Sequence, residues 1–326
     1  MPSRLVCCVL TVALLWAGNA LAMHAGGGLP VLTNKAVAVS VQGSFGLLNG
    51  TAQENVYTGL GGRRYHLSEL DWDLRNVALA GAQVSVALKN TVWLNAGLWG
   101  AVTKGSGQMS DWDWQLEEFD SPWTDWSLSE VDLTRAWLLD LNAAVELTRF
   151  GKLGFRGIVG YKFNTWKWQD YGLRHIYSSQ PAMPGGFRND VAEDPHNTAI
   201  IYEQNFHIPY LGAGLNFASG AWVLEAYGLF SPYVLADDRD QHLLRHLDFE
   251  ETFNKGGQYY GLGLRATWLF TEHGYLSAAL DGQLIPEMIG DTTVTETDTG
   301  LQRTSRNTAG ISSESWMFSL GLGGRF

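Results

Sequence analysis

Thiols are almost missing from this chain. The only two cysteines, Cys7 and Cys8, lie within its one long apolar run, Leu5 to Ala17, which follows Arg4 and precedes Gly18-Asn19 and Ala20-Leu21-Ala22. A basic start, an apolar core and an A-x-A motif make a secretory signal peptide. The run is shorter than the roughly 20 residues a spanning helix needs, and no later stretch supplies one. Cleavage is expected after Ala22, leaving residues 23–326 as one domain with no disulfide and no cysteine nucleophile. Basic side chains are also scarce: 22 Lys and Arg face 33 Asp and Glu, for a net charge of −11, and losing Arg4 makes it more negative. Such a chain draws cationic partners and argues against nucleic acid.

What the chain has instead is two-residue alternation. In the final segment Trp316, Phe318, Leu320, Leu322 and Phe326 share one face of a strand, opposite Met317, Ser319, Gly321, Gly323 and Arg325. Leu276 to Leu284 and Trp222 to Phe230 repeat the pattern, with Asp281 and Glu225 among the opposite positions. A soluble β-sandwich also alternates. Long strands, abundant Trp and Tyr, inward charges and a terminal phenylalanine favour an all-β transmembrane antiparallel barrel in an outer membrane. Short turns are expected near Lys89-Asn90, Gly151, Gly220 and His273-Gly274. Long polar connections are expected over 49–64, 104–130, 172–197, 237–255 and 290–308, which gives about ten strands with long loops at the outer end.

The string DWD occurs twice, as Asp71-Trp72-Asp73 and as Asp111-Trp112-Asp113. An extended segment throws both acids of each copy to one side. Near Arg75, the first copy reads as architecture, with its acids toward the lumen and Trp72 toward lipid. The second follows Gly105-Ser106-Gly107 in a polar connection where lipid does not explain the aromatics. Two carboxylates so close repel, so one holds a proton unless a cation sits nearby.

A second constellation is Asp240 and His242, again two apart. A carboxylate beside an imidazole selects its tautomer and stabilises the imidazolium, as a general base requires. His242 and His246 also have H-x3-H spacing, but that spacing is helical and no HExxH is present, so a metal is not expected. A solvated ion pair in a loop is the plain alternative.

Taken together, these features resemble the omptin family of outer-membrane proteases. The likeness runs through the mature chain in order: ELDWDLRN, the second DWD followed by PWTDWS, HIYSSQ with GFRND, IPYLG, and DDRDQH. The resemblance implies an endopeptidase that cuts at basic sites with an activated water. It implies catalytic roles for Asp111, Asp113, Asp240 and His242, and contacts to the basic substrate side chain from Glu54 and Asp238, with Asp125 on the far side of the cut. No GxSxG motif offers a competing serine. The family also holds lipopolysaccharide on the barrel wall. Tyr161 and Lys255 match that cluster, Phe163, Thr165 and Asn205 depart from it, and Lys167 is the candidate replacement. Lipopolysaccharide is thus an expected requirement, with no other cofactor. A non-catalytic adhesin or pore whose acidic loops bind cationic peptides is the rival, and a lipid hydrolase has no serine motif to support it.

Overall fold

The computed structural model describes residues 36–60, 63–116 and 121–326; the expected leader, with Cys7 and Cys8, lies outside the described residues. Twelve strands follow one another: β1 (Val37–Leu60), β2 (Arg63–Leu88), β3 (Val92–Ala101), β4 (Gly107–Asp113), β5 (Asp125–Phe150), β6 (Leu153–Tyr177), β7 (Asp190–Glu193), β8 (Ile200–Ser219), β9 (Trp222–His242), β10 (Leu247–Leu269), β11 (Gly274–Glu296) and β12 (Gln302–Arg325). All pairings are antiparallel, and β1 pairs with both β2 and β12, closing the sheet. Closure removes the unpaired edges that a membrane would not tolerate.

The strand count exceeds the expected ten because two staves are interrupted. β3 and β4 both run between β2 and β5, and β7 and β8 both pair with β6. The short turns fall where expected, helped by left-handed backbone at Lys89, Asn90, Gly151 and Gly220. The long loops do not: most of the polar stretches are strand, so β9 and β10 continue to a turn at 243–246 and β11 and β12 to one at 297–301. Alternation there loses its apolar-out signature because the outer face meets water rather than lipid.

A band of outward apolar side chains, among them Phe45, Leu98, Val159, Leu211, Leu264 and Leu322, marks the membrane-spanning part. Inside that band the lumen is polar and filled. Arg156 donates to Glu225 at 3.0 Å, Tyr210 donates to Asp140 at 2.7 Å, and Lys162 pairs with Asp140. Buried charges persist in such a place only when paired. Toward the end that carries the longer connections the lumen becomes aromatic. Trp72, Trp168 and Tyr202 are fully buried and lie within 5.1–5.9 Å of one another, centroid to centroid.

Two bulges decide which residues face that upper lumen. In β2, Leu48 pairs with Val77 but Gly50 with Leu74, so Arg75 and Asn76 together oppose Asn49. Asn76 takes φ 53° and its amide donates to the Asn49 side chain at 2.9 Å, a conformation that asparagine adopts more readily than most residues. The extra residue switches the inward set from Val77 and Leu79 to Leu74, Trp72 and Leu70. The expectation for the first DWD is therefore corrected: Trp72 points into the barrel, Asp71 and Asp73 point outward, and Asp73 pairs with Arg75 at 2.7 Å. In β9, Val234 pairs with Gly257 but Ser231 with Tyr259, leaving Pro232 and Tyr233 opposite Gln258. Below this bulge Val223, Tyr227 and Leu229 face inward; above it Val234, Ala236, Asp238 and Asp240 do. Proline cannot donate to a ladder, so a bulge suits it.

Candidate active site

The upper end of β9 brings Asp240 and His242 to the lumen side of one strand. His242 Nε2 lies 2.5 Å from Asp240 Oδ2, and Asp240 is buried. With the Nε2 hydrogen directed at the carboxylate, Nδ1 keeps the lone pair that can accept a proton. The His242 ring also packs on Phe249, 5.2 Å between centroids. Arg245, in the β9–β10 turn, reaches back to place Nη1 3.4 Å from Nδ1.

Across the cleft stand Asp111 and Asp113 on β4. Asp111 pairs with Leu70 and Asp113 with Ser68, so both acids share the inward face that the Asn76 bulge gives β2. The two DWD strings thus lie side by side with opposite facing. Ser68 donates to Asp111 Oδ1 at 3.1 Å. Burial lifts the Asp111 carboxyl well above the ordinary range, and the nearby charges of Asp113 and Asp240 lift it further, while Arg245 opposes them. Burial also raises Asp113, against the pull of Ser68, Arg245 and His242. These mutual influences tie β4 to the dyad on β9 through space.

Beside the dyad is a cluster of buried acids. Glu54 on β1 and Asp238 on β9 are buried, and each keeps one oxygen without a hydrogen-bond partner. Burial raises Glu54 well above the ordinary range, followed by the charges of Asp240, Glu251, Asp238 and Asp111. Asp238 is raised for the same reason, with Tyr202 donating to its Oδ2 at 3.0 Å. Glu54 and Asp238 project from strands, β1 and β9, rather than from loops.

The remaining predicted residues are placed differently. Asp125 pairs with Asp113 across β4 and β5, but it is buried and its Oδ1 accepts the Ser178 amide at 2.8 Å. The other oxygen of Asp125 is buried and has no hydrogen-bond partner. Tyr161 meets His207 Nδ1 at 2.7 Å on the outer wall, and Lys167 lies 3.3 Å from Glu203, which also takes Arg135. Lys255 stands on β10, with β8 and β9 between it and β6. Its ammonium is turned to Asp291 and Asn307, at 2.9 and 2.6 Å. Tyr161 and Lys167 thus lie on β6, and Lys255 lies three strands along the same sheet. His246 faces Asp298 at 3.4 Å rather than joining His242.

Four contributors escaped the sequence reading: Ser68, Tyr202, Arg245 and Glu251. Glu251 pairs directly with Asp238. Locating a turn at 243–246 would have revealed that pairing, but Leu243-Leu244-Arg245-His246 carries none of the usual turn residues.

The chain as a whole is similar to known proteins. Residues 35–326 match the Omptin family. The chain is 30% identical to the plasminogen activator of Yersinia pestis, over 88% of this chain and 89% of that protein. It is 26% identical to protease 7 of Escherichia coli strain K12, over 86% and 87% of the two chains. The crystal structure of the outer membrane protease OmpT from Escherichia coli superposes with a TM-score of 0.80 at 25% identity, covering 89% of this chain and 97% of that one. A closed barrel with an acid-lined upper lumen, matched along nearly its whole length by proteases of the outer membrane, makes this chain a member of the omptin family and an outer-membrane protease.

Proposed function

We propose that the protein is an endopeptidase that cuts polypeptides at basic residues, using a water activated by His242 at the extracellular mouth of the barrel. The observation that carries this reading is the inward Asp240–His242 pair, 2.5 Å apart, opposite the inward acids Asp111 and Asp113. A water held between the imidazole and Asp111 loses a proton to His242 Nδ1 as its oxygen attacks the scissile carbonyl carbon. Asp240 steadies the imidazolium that forms. The proton then passes to the leaving nitrogen as the carbon–nitrogen bond breaks, and His242 is neutral again. Asp113 helps to position the water or to stabilise the tetrahedral intermediate.

Glu54 and Asp238 receive the basic side chain before the cut. A cation leaving water needs a carboxylate beside it, and both acids hold an unpartnered buried oxygen. Asp125 offers a carboxylate on the far side. Lipopolysaccharide supports activity through the outer wall at Tyr161, Lys167 and Lys255. The test is product mapping by mass spectrometry, with the folded barrel, with and without lipopolysaccharide, acting on a peptide containing Arg-Arg and Lys-Lys. Cuts adjoining those residues are expected; cuts confined to apolar sites contradict the reading.

A further inference from the structure

Glu251 belongs to no role assigned so far. It is 1% exposed, on the inward face of β10, directly across the ladder from Asp238. Thr292 on β11 donates to its Oε1 at 2.8 Å, which holds the carboxyl in one orientation. Its Oε2 is buried and has no hydrogen-bond partner, like Glu54 Oε2 and Asp238 Oδ1. Leaving a buried acceptor unmet is costly. Three such acceptors, with Asp240 Oδ1 a fourth beside the dyad, make a place short of hydrogen-bond donors and of positive charge.

We propose that Glu251 is the third carboxylate of the pocket for the basic side chain, a specificity residue that releases a proton when a cationic substrate enters. The inference rests on the proposed preference for basic residues. Among the described residues, the groups that face it are acids or neutral donors: Asp238 and Asp240 on β9, Glu54 on β1, Tyr202 on β8 and Thr292 on β11. Burial first, and Asp240 next among the charges, push the Glu251 carboxyl up to about 8, against hydrogen bonding from Thr292 and with Asp238. In neutral solution the empty pocket therefore carries a proton within the Glu251–Asp238 pair. An entering guanidinium or ammonium favours the carboxylate and expels that proton to solvent. Lysine offers three donors at one point, whereas the planar guanidinium offers five in a fork. Three separated acceptors suit the fork better, so arginine gains more from Glu251 than lysine does.

The linkage has a definite sign. KM for a basic substrate falls as pH rises, because less free energy goes into removing the proton, and it levels off once Glu251 in the free enzyme is ionised, near about 8. The test is the pH dependence of KM and kcat, using peptides with Arg or Lys before the cut, for the wild type, Glu251→Gln and Thr292→Val. Glutamine keeps the shape and can still accept from Thr292. Losing one charge-assisted contact should raise KM for the Arg peptide about tenfold or more, with a smaller effect for Lys. The KM step near 8 should vanish or move to lower pH. Thr292→Val keeps the acid but removes the donor that favours its charged form, so its step should move to higher pH. This variant carries the test if Glu251→Gln fails to fold. An unchanged KM and an unchanged step in folded Glu251→Gln, or a step unmoved in Thr292→Val, would overturn the role of Glu251 alone. A wild type with no preference for Arg or Lys would overturn the basic-site reading along with it.

Discussion

Asp240 and His242 are bound side by side on one strand, 2.5 Å apart, and they face the lumen only because Pro232 and Tyr233 shift the facing of β9. The same geometry assigns Nε2 to the carboxylate, so in the proposed reaction Nδ1 takes the proton as its Arg245 contact gives way. Asp240→Asn keeps the size of the side chain but weakens its hold on the imidazolium. A fall in kcat of about 10²- to 10⁴-fold is expected, with KM less affected. Steady-state kinetics on the folded variant check this, and a wild-type kcat would contradict the bracing role.

The Arg245 guanidinium opposes protonation of Asp111 and Asp113 and lies 3.4 Å from His242 Nδ1. Removing this cation makes protons easier to hold on the two carboxyls. The acidic limb of kcat/KM in Arg245→Gln should therefore move to higher pH. Parallel pH–rate profiles of the two proteins measure the displacement; a limb unmoved or shifted to lower pH would count against the contact.

Specificity should separate from long-range attraction. The acidic surface draws cationic peptides from a distance, but salt screens that pull beyond about 8–10 Å. In the proposed mode of binding, Glu54 and Asp238 act at contact. Neutralising both as Gln and Asn should therefore reduce cleavage after Arg or Lys much more than raising ionic strength does. Competition between basic and neutral peptides, followed by mass spectrometry, distinguishes the two effects.

Stability of the mouth should depend on pH in an unusual direction. Glu251 rises from an ordinary 4.5 to about 8, and Glu54, Asp111 and Asp238 are also raised by burial. The folded mouth thus holds protons that the unfolded chain would release. The stabilisation is complete below the ordinary carboxylate value and is lost as pH rises through the folded one, roughly 4.5 to 8 for Glu251. Amide exchange in upper β9 and β10, corrected for its intrinsic pH dependence, should show greater protection at the acid end of that window. Equal protection throughout would contradict the burial of these acids.

The barrel was legible because lipid imposes a strict alternation, visible at Trp316 to Leu322 and at Trp222 to Phe230. The Asp240–His242 and Asp111–Asp113 pairs were legible because i and i+2 share a face in any strand. Which face they share was not. A single added residue at Asn76 reversed the first DWD, and another at Pro232–Tyr233 brought Asp238 and Asp240 inside. Such bulges are set by tertiary pairing and leave little mark on local composition. Glu251 was hidden for a related reason: its partnership with Asp238 depends on ladder register, which a turn of Leu243-Leu244-Arg245-His246 does not announce.

The most direct measurement is turnover of an Arg-Arg peptide by His242→Ala, in protein shown to be folded by its resistance to heat in detergent. Loss of the general base predicts a kcat reduced by about 10²-fold or more, with the barrel intact. Near-normal hydrolysis by the folded variant would contradict the proposal that His242 activates the water.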